Sequence, residues 1–450
     1  MPSLSESETG PSKVAGSDGI NPSRTTFAAF SSKPFALLWA NTISFALSQS
    51  IQQFTFAWLA LQIGKDGTEL WPGLKLGEAT TVGLVIFALG LPVLLFGLYA
   101  GILTDRLDRR VLLFGSQLGS IVVTAAAAAL VALGSLNIWG ICGLAFVLGT
   151  TVAFGMPVRQ AIVPSLVNPE RVLNAVTLMN VGAQIATGGA VVSGVVIELG
   201  GISAAFAAQA GLLTLGLFAL IPLRVPVVRE NVPRRMRDDL QEGFSFVIHH
   251  PGIRTLMIVL LATALVMAGT FQTLLPKIAA DNLGAGPFRA SMLFTVMLVG
   301  TLTTSLVLAS YRRIERAGLF FLFTLIAGGV LNVGLGLAPW YTMAFVIMFI
   351  TGWNAGFFVN LNMALVQAHT PNALMGRVMS IYQLCMAGAM PLGAIVAGLM
   401  ADVLGAQEWF ALCGAVLLLL GIVILTTQSA LRQMSSAPDP KQEATAPTEA

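Results

Sequence analysis

Charge is scarce in this chain, and side chains that carry chemistry are scarcer. Of its 450 residues 10% are charged, three are cysteine and three are histidine. Cys142, Cys385 and Cys413 each stand inside an apolar run, where a small buried apolar residue is the expected role. They form neither a disulfide framework nor a metal-ligand spacing. His249, His250 and His369 fall in loops without ligand partners. No cluster of His, Asp, Ser or Cys has catalytic spacing, so an enzyme is not expected, and neither is a metal or a cofactor. Residues 1–26 are rich in Ser, Gly and Pro and lack the apolar core of a cleaved signal, so the first apolar run is expected to target the chain. The net charge of +3 and pI near 8.9 follow from where the cations sit and imply no nucleic-acid partner.

What the chain does have is apolar length, with 56% of its residues hydrophobic. Charge-free runs occupy 34–64, 79–104, 172–197, 199–223, 255–276, 290–311, 378–401 and 409–431. Two longer ones, 111–158 and 317–376, must each fold back once, at Gly134-Ser135-Leu136-Asn137 and near Ala338-Pro339. A membrane-spanning helix needs about 20 apolar residues and tolerates almost no unpaired charge. The runs therefore predict an all-α polytopic membrane protein with twelve spans. If the N-terminus is inside, only Lys65, Lys75, Lys277 and Arg289 of the 24 Lys and Arg lie outside. Such a bias orients the chain in the cell (inner) membrane with both termini cytoplasmic.

The longest interior polar segment, 224–254, divides the chain into two halves of six spans, 34–223 and 255–431. It reads as a cytoplasmic linker ending in an interfacial amphipathic helix. The tails, 1–33 and 432–450, are cytoplasmic, and the Pro/Ala/Glu-rich end of the second reads as disordered. A local repeat supports the division. Gln160-Ala161-Ile162-Val163-Pro164 follows span four, and Gln367-Ala368-His369-Thr370-Pro371 follows span ten. Each is succeeded by Arg-Val, at Arg171 and Arg377. Duplication of a six-helix unit is the usual plan of a secondary transporter.

Between spans two and three stands Gly101-Ile102-Leu103-Thr104-Asp105-Arg106-Leu107-Asp108-Arg109-Arg110. This loop resembles the major facilitator superfamily signature G-x-x-x-D-R-x-G-R-[RK], with Asp108 in place of the usual Gly; either residue supplies a tight turn. The resemblance spans roughly residues 30–430. Phe35-Ala36-Leu37-Leu38-Trp39, Arg159-Gln160-Ala161, Glu242-Gly243-Phe244 and Gly376-Arg377-Val378-Met379-Ser380 are similar to the branch of macrolide and enterobactin exporters. It implies an exporter of a small amphipathic molecule (a drug, siderophore or other metabolite) by alternating access, with proton antiport as the candidate drive. An uptake carrier or facilitator of the same fold is the alternative. By resemblance Gly101, Asp105, Arg106, Arg109 and Arg110 form a gate that closes the cytoplasmic side. One departure concerns the antiporter motif G-x-x-x-G-P-x-x-G-G of span five. Here Gly182 to Ala190 keeps glycines without proline, while span eleven carries Pro391, which moves the expected hinge to the second half.

Polar stripes at helical spacing mark an expected cavity. Span one has Asn41, Ser44, Ser48, Gln52 and Thr55; span five has Asn174, Thr177, Asn180, Gln184 and Thr187; span ten adds Trp353, Asn354, Phe357 and Asn360. Polar groups in a membrane face a cavity or another helix. Asn41, Ser48, Gln52, Asn180, Gln184, Trp353 and Asn354 are the candidate lining, an uncharged surface suited to a neutral or amphipathic substrate. No span has a carboxylate at its centre; Glu198, at a span end, is the candidate coupling acid, and an ordinary interfacial acid is the stronger reading of it. Expected partners are a small-molecule substrate, the lipid bilayer and the proton, and the protein is expected to be a monomer.

Overall fold

The computed structural model describes residues 27–435 apart from 66, 72–73, 224–235, 311–313 and 372–373. Its helices are α1 (Lys33–Lys65), α2 (Glu78–Arg106), α3 (Arg109–Ala132), α4 (Ile138–Leu166), α5 (Val172–Ala186) and α6 (Gly189–Leu220), then α7 (Met236–His249) before the second half. There follow α8 (Pro251–Thr263), α9 (Gly269–Lys277), α10 (Pro287–Ala309), α11 (Ala317–Gly336), α12 (Tyr341–Ala368), α13 (Met375–Leu404), α14 (Ala406–Thr427) and the short α15 (Ser429–Gln433).

Among the described residues ten stretches are long and apolar enough to cross a membrane. One of them, Asn174–Leu220, is 47 residues long and turns at Gly201, whose φ of +80° only glycine adopts without strain, so it supplies two spans. α1, bounded by Lys33 and Lys65, supplies the remaining one: its 33 residues reach about 50 Å. The protein is thus an all-α polytopic membrane protein of twelve spans in two six-helix halves. The connection between α1 and α2 adds what hydropathy does not reveal, a two-stranded antiparallel ribbon of Thr68–Trp71 and Leu74–Leu76.

Local chemistry sets the ends of the spans. Asp108 accepts from the Arg110 N–H at 2.8 Å and caps α3, so the departure from glycine in this loop gains a cap. Asn137 caps α4 through the Gly140 N–H at 2.8 Å, after Gly134 turns the chain at φ +63°. Span seven is less regular, with π-helical turns at Ala264–Ala268 and Ile278–Asn282 on either side of α9.

The two halves repeat a detail at their arginine-rich end. Arg171, at the start of α5, donates to Ser31 and the Ala28 carbonyl, pinning the 3₁₀ turn before α1. Arg377, near the start of α13, pairs with Glu242 on α7, the helix before α8. α7 leaves Phe244 and Ile248 exposed as an apolar edge, the pattern of an interfacial helix. His250 caps α8 by accepting from the Ile253 N–H at 3.3 Å. Burial, and then the neighbouring His369, holds the His250 imidazole below its ordinary pKa, in the neutral form that can accept.

Span four does not end before Gln160. Arg159 is not a loop cation. α4 continues past it to Leu166, and its side chain is 1% exposed. Its Nε donates to Asn41 Oδ1 at 3.2 Å, one terminal nitrogen to the Gly155 carbonyl at 3.0 Å and the other to Gln117 Oε1 at 2.6 Å, and its guanidinium lies 3.7 Å from the Phe45 ring centroid. Asn41 then donates to the Gly216 carbonyl and Gln117 to that of Leu213. The arginine thereby knits α1, α3, α4 and α6 together. Interior charges survive only with this degree of hydrogen bonding.

Candidate substrate cavity

A cavity of about 500 Å³ lies between the two halves. The first half contributes Gln53 and Phe54 of α1, Gln184 of α5 and Thr187 just after it. The second contributes Gln272 of α9, Thr301 and Ser305 of α10 and Asn360 of α12. Gln272 approaches Gln53 at 3.5 Å, and Phe54 meets Phe294 edge to face with centroids 5.9 Å apart, so both contacts cross between the halves. The polar groups of this wall are amides and hydroxyls, set among apolar side chains. Such a surface offers hydrogen bonds without charge and favours a neutral or amphipathic guest.

The halves are tied at the end of the bundle opposite the arginines. Lys277 pairs with Glu78 and, at 2.8 Å, with Asp281, which also meets Lys65 at 2.9 Å. Asp402, at the end of α13, accepts from the Ala79 and Thr80 N–H groups at 3.0 and 2.8 Å and caps α2 across the interface. Glu198 accepts from the Phe288 N–H at 3.0 Å and caps α10. A carboxylate at a helix N-terminus satisfies otherwise unpaired donors and complements the helix dipole. Backbones also touch: a Cβ on Gly83 of α2 would stand 2.4 Å from the Ala394 carbonyl oxygen of α13, and one on Gly194 of α6 2.6 Å from Ser291 Cβ of α10. Pro391 packs on Gly90 of α2 and so belongs to this interface.

The polar stripes divide on inspection. Gln184 is in the cavity wall and Asn180, on the same helix, is exposed without joining it. Asn41, Ser48 and Gln52 are buried and absent from the wall. Their face of α1 meets span six and the second half of span five: Asn41 bonds Gly216, Gln52 accepts from Gln209 at 3.2 Å, and Thr55 meets Ser193 at 2.8 Å. The wall of α1 is the neighbouring face, with Ser50, Gln53, Phe54 and Ala57. Trp353 is exposed outside the cavity, and Asn354, whose amide donates to the Thr324 carbonyl at 2.9 Å, lines a second cavity inside the other half. Gln272 joins no polar stripe at helical spacing, and the π turn before it shifts the helical phase of span seven. Glu198 is occupied as a cap rather than set in the wall.

In the loop between α2 and α3, Arg109 donates to the Ala161 carbonyl at 3.2 Å and Arg110 to that of Ile221 at 3.0 Å. Both bonds stay within the first half. The side chains of Gly101, Asp105 and Arg106 lie outside the described residues.

The profile of a family described as transmembrane secretion effectors matches residues 24–449. The chain is 25% identical to macrolide efflux protein A of Streptococcus pyogenes over 402 residues, 86% of this chain and 94% of that one. It is 27% identical to the multidrug efflux pump Tap of Mycolicibacterium fortuitum over 424 residues, 90% and 98% of the two chains. Enterobactin exporter EntS of Escherichia coli is 25% identical over 374 residues, 79% and 85%. Among solved structures a peptide transporter, POT, superposes with a TM-score of 0.67 at 15% identity over 90% and 96% of the chains. The nucleoside transporter NupG gives 0.66 at 12% identity over 89% and 99%. At such identities these two likenesses concern the fold.

Proposed function

Because the chain belongs to the transmembrane secretion effector family of the major facilitator superfamily, we propose that it exports a small amphipathic molecule, its two halves rocking about the cavity between them. The observation that carries this reading is the uncharged, amide-lined and phenylalanine-bearing cavity formed jointly by both halves. A guest there touches both bodies at once, so its binding is coupled to their relative position. The efflux relatives favour export. The arginine-rich end is read as cytoplasmic, which puts Lys277, Glu78, Asp402 and Glu198 on the outer side. In this reading the outer end is tied and the cavity serves the cytoplasm.

Return to the outward-facing state requires these ties to break and others to form at the cytoplasmic end. The loop of Gly101, Asp105, Arg106, Arg109 and Arg110 is assigned that closing role by resemblance. Proton antiport is the proposed drive, although the candidate acid Glu198 serves as a helix cap.

Cells lacking their main efflux pumps and expressing this protein should retain less ethidium and less of a macrolide than cells without it. Dissipating the proton gradient should abolish the difference. Equal retention in expressing and control cells, with the protein present in the membrane, would count against export.

A further inference from the structure

The second half contains a cavity of its own, about 210 Å³, bordered by span seven, α10, α11, α12, α13 and α14. Its wall is largely hydrocarbon, from Leu260, Met267, Phe358 and Leu417 among others. Three of the residues around it carry a buried polar atom without a hydrogen-bond partner, Thr263 Oγ1, Asn332 Oδ1 and Thr351 Oγ1. Asn332 is 4% exposed and Thr351 5%. Buried polar atoms nearly always have partners, and an unpaired one costs roughly 1–3 kcal/mol. Three such atoms in residues around one cavity, supplied by three different elements, mark a region where partners are missing. Met297, Ala355 and Val359 line both this cavity and the central one, so these side chains form the partition between the two.

We propose that this chamber is a binding site for the apolar, ring-bearing part of an amphipathic ligand that carries a hydroxyl or N–H donor. The hydrocarbon wall takes the ring, and Asn332 Oδ1, which can only accept, turns to receive the donor, with the Thr263 and Thr351 hydroxyls as further partners. A water could meet these three polar groups, but it would leave the hydrocarbon part of the cavity unfilled, which an apolar body bearing one donor occupies. As an extension of the substrate path the chamber rests on the export reading; as a binding site it is measured independently of transport.

The test uses the purified full chain in lipid nanodiscs, with 1-naphthol and 1-methoxynaphthalene as probes of one ring system with and without a donor. Both should raise the melting temperature, 1-naphthol at lower concentration. Thr351→Val and Asn332→Leu should each weaken 1-naphthol by about fivefold, the worth of one hydrogen bond, and leave 1-methoxynaphthalene unchanged. Ala268→Leu, which adds volume at the chamber wall, should weaken both. If either polar variant fails to fold, the other and Ala268→Leu still decide the matter. No rise with either probe, or a rise that all three variants keep, overturns the proposal. Thr351→Val that melts higher and binds both probes as before would show an unpaired hydroxyl and no site. An empty chamber leaves ethidium export intact, whereas failure of the export reading leaves the nanodisc result standing.

Discussion

At the scale of single residues, the distinction that matters is between polar groups that tie helices and polar groups that face the cavity. Asn41 bridges Arg159 and the Gly216 carbonyl, whereas Gln184 stands in the wall. Asn41→Ala should therefore lower the melting temperature in detergent and leave substrate preference unchanged. Gln184→Ala should do the reverse, shifting relative resistance to two unrelated compounds several-fold, since a lost hydrogen bond is worth about 1 kcal/mol. Arg159 is the more demanding case. Arg159→Leu strands the acceptors of both Asn41 and Gln117, a cost of about 3 kcal/mol or more, and Arg159→Lys should recover only part because an ammonium cannot reproduce the planar fork. Thermal unfolding of the purified variants measures this, and an unchanged midpoint in Arg159→Leu would contradict the hub. Ending a span at its first charge hid this role in the sequence: Arg159 closes a charge-free run, and only the neighbouring amides reveal that the helix carries the charge inside.

At the scale of elements, hydropathy and turn chemistry made the spans and their connections legible. The fold-back at Gly134 to Asn137 follows from residue types whose backbone preferences are local, and the tight turn expected at Asp108 gains a helix cap. Which neighbour covers a given face is not local. The stripe on α1 is real, but its period of three to four identifies a face and not what lies against it. In span seven the π turns break the period itself, so Gln272 has no stripe to join. Contact between α2 and α13 depends on backbone approach at Gly83 and Ala394. Gly83→Val should therefore hold the two helices apart, with export reduced at least several-fold and cysteines placed in the outer half of the cavity more reactive from outside. Export at the parental rate would show that this approach is dispensable.

At the scale of the whole molecule, the ties between halves are many and individually weak. Lys277 and Glu78 are 16% and 32% exposed at the side chain, and partly solvated pairs contribute roughly 0–1 kcal/mol each. A set of such contacts holds a closed end without making it permanent, as a cycling carrier requires. Asp402→Asn alone should change little, because an amide oxygen still accepts from the α2 N–H groups. Combined with Lys277→Met it should raise labelling of Gln53→Cys by a membrane-impermeant thiol reagent added from outside. Unchanged labelling in the double variant would place the closure elsewhere, in the α2–α13 and α6–α10 packing.

Rocking of the halves is the central claim, and locking them tests it most directly. Gly194 and Ser291 face each other across the interface at the tied end, where a Cβ on Gly194 would stand 2.6 Å from that of Ser291, so the helices must part by about 1 Å to reach the Cβ separation of a disulfide. In vesicles bearing Gly194→Cys with Ser291→Cys, ethidium transport is measured before oxidation, after oxidation and after reduction. The account predicts that the bridged protein stays folded and stops transporting, and that reduction restores the starting rate. Undiminished transport through the bridged protein would contradict it.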